Sequence, residues 1–134
     1  MHPVKKAIMR DKLRSMLTTM RVKMYLMNEG EDATDVLVEL GSTVAVVAIG
    51  AYIALPQEPW VNQLRGALNT IQSMCLDKYR WNPLYAAPLN NAVDIAIAKL
   101  GSVPLDALAV GAEQGMLYAA LIKSHQVTKE TPAI

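Results

Sequence analysis

Apolar residues recur at steps of three and four along most of this 134-residue chain, the spacing of one face of an α-helix. The first such pattern runs from about Lys5 to Met27, and Gly30 is expected to follow the helix in the left-handed conformation. Its apolar stripe is Met9, Leu13, Met16, Leu17, Met20, Met24 and Met27. Flexible methionines suit both an irregular core and an adaptable interface, and we interpret the stripe first as core.

A second helix is predicted from Asp32, as the N-cap, to Leu55, which precedes Pro56. From Leu40 to Leu55 the chain has no charged residue, and beyond Leu40 both sides of the helix are apolar. Sixteen residues span about 24 Å as a helix, which is short of a bilayer core of about 30 Å. The pattern therefore predicts a central, buried helix, and no membrane insertion is expected.

Three further helices are predicted at about 59–79, 88–100 and 104–124, each with apolar residues on one face. Pro59 suits the first position of its helix, and the segment 80–87 between two helices breaks the pattern. In the last helix Gly111 and Gly115, four residues apart, predict the close approach of another helix backbone.

These patterns predict an all-α fold, a single compact domain of about five helices over residues 1–124. Short connections favour antiparallel neighbours, and periodicity leaves open whether the helices form a bundle or an orthogonal array. Residues 125–134 are mostly polar and lack periodicity, which predicts a flexible C-terminal tail.

Composition agrees with a globular helical protein, since 52% of residues are hydrophobic and 19% are charged. Cys75 is the single cysteine and His2 and His125 are the two histidines, so a zinc site built from cysteine and histidine is not expected. The N-terminus lacks a signal-peptide pattern, and a cytoplasmic location is expected.

Catalytic motifs are missing from the sequence. His2 and His125 lie near the ends of the chain, poorly placed for a catalytic base, and the cluster of Asp32, Asp35 and Glu39 is explained by the start of a helix. No glycine-rich phosphate loop or dinucleotide fingerprint is present. We therefore expect a protein that is not an enzyme and that needs no cofactor and no metal.

The first thirty residues are basic, with seven Lys and Arg against two acidic residues, a net charge of +5. The remainder of the chain has a net charge of −4. A helical projection places Arg10, Arg14 and Arg21 along one flank of the apolar stripe, and Lys5, Lys12 and Lys23 along the other. The basic residues Arg10, Arg14, Arg21 and Lys23 are candidate partner-binding residues, although long basic side chains also line the rim of a buried face.

A second candidate binding segment is Tyr79 to Tyr85, where aromatic and basic residues alternate at a helix end. Tyr, Trp and Arg dominate binding hot spots, so Tyr79, Arg80, Trp81 and Tyr85 are candidate contacts. The alternative is that Trp81 closes one end of the helical domain and that Arg80 is only solvated.

The first functional hypothesis is a small binding protein that occludes or bridges a protein partner, such as an inhibitor or an accessory factor of the kind that phages and other mobile elements encode. The second is a nucleic-acid-binding regulator that uses the basic first helix. An enzyme of unknown reaction is the third. A homodimer is the expected oligomeric state, because small residues and abundant apolar surface favour helix packing between copies.

Overall fold

The computed structural model describes residues 3–131, and in this range the side chains of Pro3 and Lys6 are outside the description. The described residues form six α-helices and no β-strand, so the predicted all-α fold is confirmed. The helices are α1 (Pro3–Tyr25), α2 (Thr34–Gly41), α3 (Val44–Ala54), α4 (Pro59–Leu76), α5 (Ala86–Lys99) and α6 (Leu105–Lys123). Two short 3-10 helices, Pro83–Tyr85 and Leu100–Ser102, flank α5.

The centre of the domain is α3. All its residues from Val44 to Ala51 are buried, and it packs against α6, α4, α5 and α2. The prediction of a central, buried helix is confirmed for Val44 to Ala51, whereas Tyr52 and Ile53 at the end of α3 are exposed, at 39% and 52%.

Glycines bring α3 and α6 into close contact. A Cβ added at Gly111 would overlap the carbonyl oxygen of Val46, and one added at Gly115 would lie 2.7 Å from Cγ2 of Val46. Gly50 of α3 likewise lies against the main chain of Ala107. The predicted close backbone approach at Gly111 and Gly115 is confirmed, and α3 is the helix that approaches.

The prediction of a single helix from Asp32 to Leu55 is wrong in one respect, because this segment forms two helices, α2 and α3. The hydroxyls of Ser42 and Thr43 donate to the carbonyl oxygen of Glu39, which offers the backbone an alternative to continuing the helix. Thr43 leaves the helical conformation, with φ −126° and ψ −69°, and Gly41 before it packs against α6. The break lets α2 and α3 take different paths over α6.

Two helical stretches, Thr34–Ala54 and Leu105–Lys123, have the length and composition of a membrane span. The first is largely buried among the other helices, and the core helices of soluble proteins have the same character. These two stretches are therefore weak evidence for insertion.

Two distant loops are joined by main-chain hydrogen bonds. The amide of Gly30 donates to the carbonyl of Trp81, and the amide of Trp81 donates to the carbonyl of Glu31, both at 2.8 Å. Gly30 has φ +82°, the left-handed conformation predicted for it. This pairing fixes the loop after α1 against the segment that follows α4.

Residues 125–131 lie against α4. The side chain of Val127 is buried, and the amide of Gln72 donates to the carbonyls of Thr128 and Thr131 at 2.8 and 3.0 Å. Residues 132–134 are outside the described residues, and the flexibility of the tail stays a prediction.

Candidate binding surface

The basic residues proposed from the sequence lie on α1, where three of them connect α1 to other elements. Nη2 of Arg10 donates to the carbonyl of Val103 at 2.8 Å, and its buried Nε has no hydrogen-bond partner among the described residues. Arg21 forms an ion pair with Asp94 of α5, and Nζ of Lys23 lies 2.6 Å from both carboxylate oxygens of Glu39 in α2. Arg14 lies 3.9 Å from Asp11 on α1 itself. These contacts give Arg10, Arg21 and Lys23 a structural role on the rim of the core.

In the aromatic segment after α4 the side chains of Tyr79 and Trp81 are buried, whereas Leu84 is 81% exposed. Trp81 is 3% exposed and Tyr79 is 6% exposed, and both belong to the hydrophobic core. Tyr85 is half-buried in a 3-10 helix, and Arg80 is exposed, with Nη1 donating to the carbonyl of Gly30 at 3.0 Å. This placement favours the interpretation that Trp81 closes the end of the domain.

A polar cluster, which we call the junction, joins Asp32, Thr34, Tyr79, Arg80 and His125. Oδ1 of Asp32 accepts from the amide and the hydroxyl of Thr34 at 2.9 and 2.6 Å. Nε2 of His125 lies 2.9 Å from the same hydroxyl, and its ring stacks on Tyr79 with centroids 3.8 Å apart. The hydrogen bonds from Thr34, with smaller contributions from the charges of His125 and Arg80, lower the pKa of Asp32 below its ordinary value of 3.8.

The positions of the hydrogen atoms limit the chemistry of the junction. The hydroxyl of Thr34 has one hydrogen, and the ionised carboxylate of Asp32, at 2.6 Å, takes it. Nε2 of His125 must then be the donor to the oxygen of Thr34. In this arrangement His125 does not serve as a base toward the hydroxyl of Thr34.

The ends of α4 and α6 at the junction use left-handed residues that are not glycine. Lys78, Tyr79 and His125 have φ of 60°, 59° and 56°, and they are the non-glycine residues with positive φ in the range 3–131. The amide of Gln126 reaches the carbonyl of Leu121 at 2.9 Å, as in a Schellman C-cap with His125 in the left-handed position. The left-handed conformation brings the rings of His125 and Tyr79 into contact. The strain at these residues is therefore explained by the packing of the two helix ends.

Near the junction, a thiol and two phenol groups are enclosed by the core. The hydroxyls of Tyr79 and Tyr118 are buried without a hydrogen-bond partner among the described residues. Burial raises the pKa of the Cys75 thiol to about 11 and raises the pKa of both phenols. The raised pKa disfavours the thiolate of Cys75, which is the form that acts as a nucleophile. No group of three or more metal-ligating side chains is found in the part of the chain that the structure describes.

Exposed apolar side chains are most numerous on α1. Val4, Ile8, Val22 and Leu26 follow one another at steps of four, fourteen and four residues, which places them on one line of the helix. Leu26 continues this line past the end of α1, since its amide donates to the carbonyl of Val22 at 3.1 Å. They are about as exposed as one another, at 59%, 61%, 60% and 68%, and Tyr25 beside them is 87% exposed. We call these five residues the outer face of α1.

The outer face lies opposite the side of α1 that packs in the core, which contains Leu13, Leu17, Met20 and Met24. The two rows of basic residues lie between these sides, with Lys5, Lys12 and Lys23 in one row and Arg10, Arg14 and Arg21 in the other. Small hydroxyl residues and Asp11 occupy the middle of the outer face. The result is a ridge with apolar ends, bordered on both sides by positive charge.

Sequence reasoning missed the outer face. It followed the continuous stripe of Met and Leu, and a pattern of four apolar residues interrupted by Asp11, Ser15 and Thr18 is weak beside it. The signal that was present is the alignment of Val4, Ile8, Val22 and Leu26 on a helix whose core side was already filled.

Comparisons of this chain with protein-family models, with curated proteins and with solved structures found no match.

Proposed function

We propose that this protein is a non-enzymatic binding protein that attaches to its partner through the outer face of α1. The observation that supports the proposal is the exposure of five apolar side chains on one ridge of α1. The opposite side of this helix is packed in the core. Exposed apolar residues grouped in this way mark interaction surfaces, whereas singly scattered ones do not. The basic rows beside the ridge imply that the partner surface is acidic as well as apolar.

A nucleic acid is the weaker candidate for that partner. Phosphates attract Lys and Arg and gain nothing from Val, Ile and Leu, yet exposed apolar residues form both ends of the ridge. Arg21 and Lys23 are already paired with the carboxylates of Asp94 and Glu39, which lowers the charge that they offer.

A second copy of the outer face is also a poor partner. A symmetric dimer through this surface would bring the same basic rows of the two copies together. The helix α1 contains seven Lys and Arg and one Asp, a net charge of +6, so two such ridges repel one another. If the protein forms a homodimer, we propose that it uses another surface.

The proposal is tested by affinity capture from extracts of the native host. The unaltered protein is compared with a double variant of the outer face, Val22→Asp with Leu26→Asp, and with a matched control on α6, Val110→Asp with Leu117→Asp. The control positions are exposed apolar residues of a different helix, at 44% and 60%. All three proteins are expected to be folded, because substitutions at such exposed positions usually change stability by about 0.5 kcal/mol or less.

The expected result is a bound component that is lost with the Val22 and Leu26 variant and retained with the α6 control. Retention of every bound component by the outer-face variant would overturn the proposal. If the bound component were lost with the α6 control alone, the binding surface would lie on α6 and the proposal would be wrong.

A further inference from the structure

We infer that the partner of the outer face of α1 is a lipid bilayer with anionic headgroups, on which the helix lies parallel to the surface. The inference rests on the proposed function, because it names the partner of the same surface. It concerns attachment to a membrane surface, which is physically distinct from insertion of a helix across the bilayer.

The shape of the ridge suits a bilayer. The apolar residues form a line from Val4 to Leu26 that spans about 33 Å, at 1.5 Å per residue. A partner protein would need a straight groove of that length, whereas a bilayer accepts a line of single side chains at any position. Tyr25, at 87% exposure, is an aromatic residue at the end of the line, the type enriched where a protein meets lipid headgroups.

The charges lie where headgroups would meet them. On a helix that rests on a membrane by its outer face, the two basic rows lie at the sides of the helix. Arg10, Arg21 and Lys23 are held by other elements, and the remaining long side chains of the rows reach phosphate groups while their methylene stems lie over apolar surface. Lys5 and Lys12 are exposed and make no ion pair with any other residue in the range 3–131. Arg14, with 46% of its side chain exposed, is a third basic residue on the other side, and its Nη1 lies 3.9 Å from Oδ1 of Asp11.

One residue on the same side of α1, Asp11, opposes this placement, and it offers a sensitive test. The carboxylate of Asp11, 81% exposed, lies between the two apolar ends and would face the anionic headgroups. Its removal is expected to strengthen binding, an effect that loss of a merely structural contact would not produce.

The experiment is co-sedimentation of the full chain with vesicles of two compositions. One is pure phosphatidylcholine, and the other contains about 30% phosphatidylglycerol, an anionic lipid, each at about 0.1 M and 0.5 M salt. The variants are Val22→Ser with Leu26→Ser, Lys5→Gln with Lys12→Gln, and Asp11→Asn. The control is Val110→Ser with Leu117→Ser on α6, and circular dichroism verifies that every variant is folded.

We expect the protein to bind the anionic vesicles at least tenfold more tightly than vesicles of pure phosphatidylcholine. Binding to the anionic vesicles should weaken at high salt. The Val22 and Leu26 variant should lose about tenfold or more, the Lys5 and Lys12 variant about fivefold per lysine, and Asp11→Asn should gain a fewfold. The α6 control should bind as the unaltered protein does.

Failure of the unaltered protein to bind anionic vesicles would overturn the lipid inference. Unchanged vesicle binding by the Val22 and Leu26 variant would also overturn it, since charge alone would then explain the binding. A host protein that is captured by the outer face in the absence of vesicle binding would overturn the lipid inference and leave the proposed function standing. If neither vesicles nor any captured component depends on the outer face, both proposals fall.

Discussion

At the scale of single residues, burial decides which of the candidate side chains a partner can reach. Trp81 and Tyr79 lie in the core, while Arg80, between them in sequence, is exposed. Main-chain hydrogen bonds to Gly30, Glu31 and Ala33 hold this segment in place, with Tyr79 and Trp81 against the core and Arg80 outside it. No local pattern reveals that pairing, since its two segments are about fifty residues apart in the chain, and this is why sequence alone left the role of Trp81 open.

The first prediction separates core from surface in this segment. Trp81→Ala is expected to lower the free energy of unfolding by about 3–5 kcal/mol, because it empties a large buried site. Arg80→Ala should change it by less than about 1 kcal/mol, since the guanidinium is exposed. Chemical denaturation monitored by circular dichroism gives both values. A Trp81→Ala protein that is as stable as the unaltered one would contradict the burial of this side chain.

The second prediction concerns Asp32, whose pKa is lowered in the folded state. A carboxyl group with a depressed folded-state pKa stabilises the fold above its ordinary value of 3.8, and this contribution is lost as the pH falls through the folded-state pKa. The difference in unfolding free energy between the unaltered protein and Asp32→Asn should therefore shrink as the pH falls below about 5 and through the folded-state pKa.

A second variant isolates the cause. Thr34→Val removes the hydroxyl that is the largest source of the shift, so the loss of stability in acid should begin at a higher pH than in the unaltered protein. A difference between the unaltered protein and Asp32→Asn that does not depend on pH would show that Thr34 does not hold the carboxylate.

At the scale of helices, periodicity in the sequence located most of the elements. Pro59 begins α4 as predicted, but α4 ends at Leu76, three residues before its predicted end, because Lys78 and Tyr79 are left-handed. The helices α5 and α6 begin and end within two residues of their predicted limits. The break between α2 and α3 was missed because apolar residues continue through it. It depends on hydroxyl groups at Ser42 and Thr43 that bond to the main chain, and such residues are also common inside helices.

The third prediction tests the glycine contact between α3 and α6. Gly111→Ala should destabilise the protein by about 2–3 kcal/mol, because the new methyl group overlaps the carbonyl of Val46 and the two helices must separate. Gly66→Ala is the matched control, as Gly66 lies within α4 and a Cβ there meets no atom within 4 Å. It should stabilise the protein by about 0.5–1 kcal/mol through helix propensity alone. Equal effects of the two substitutions would contradict the close packing of α3 on α6.

At the scale of the whole molecule, charge and apolar surface are divided unevenly. The net charge of +6 on α1 is set against an acidic remainder, and the most numerous exposed apolar side chains of the described chain lie on or directly after the same helix. The sequence predicted the charge division, which depends only on residue order. The sequence could not show that the outer face is a binding surface. That interpretation depends on the other side of α1 being covered by α5, α6 and α2, which only the structure shows.

The outer face of α1 is the proposed site at which this protein meets its partner. Hydroxyl-radical footprinting in whole extract of the native host, membranes included, tests it without assuming the class of partner. Relative to the purified protein, we predict protection of Tyr25 and Leu26 in the extract and unchanged oxidation of the exposed residues Met116 and Leu117 on α6. Unchanged oxidation at Tyr25 and Leu26, or protection confined to Met116 and Leu117, would contradict the claim.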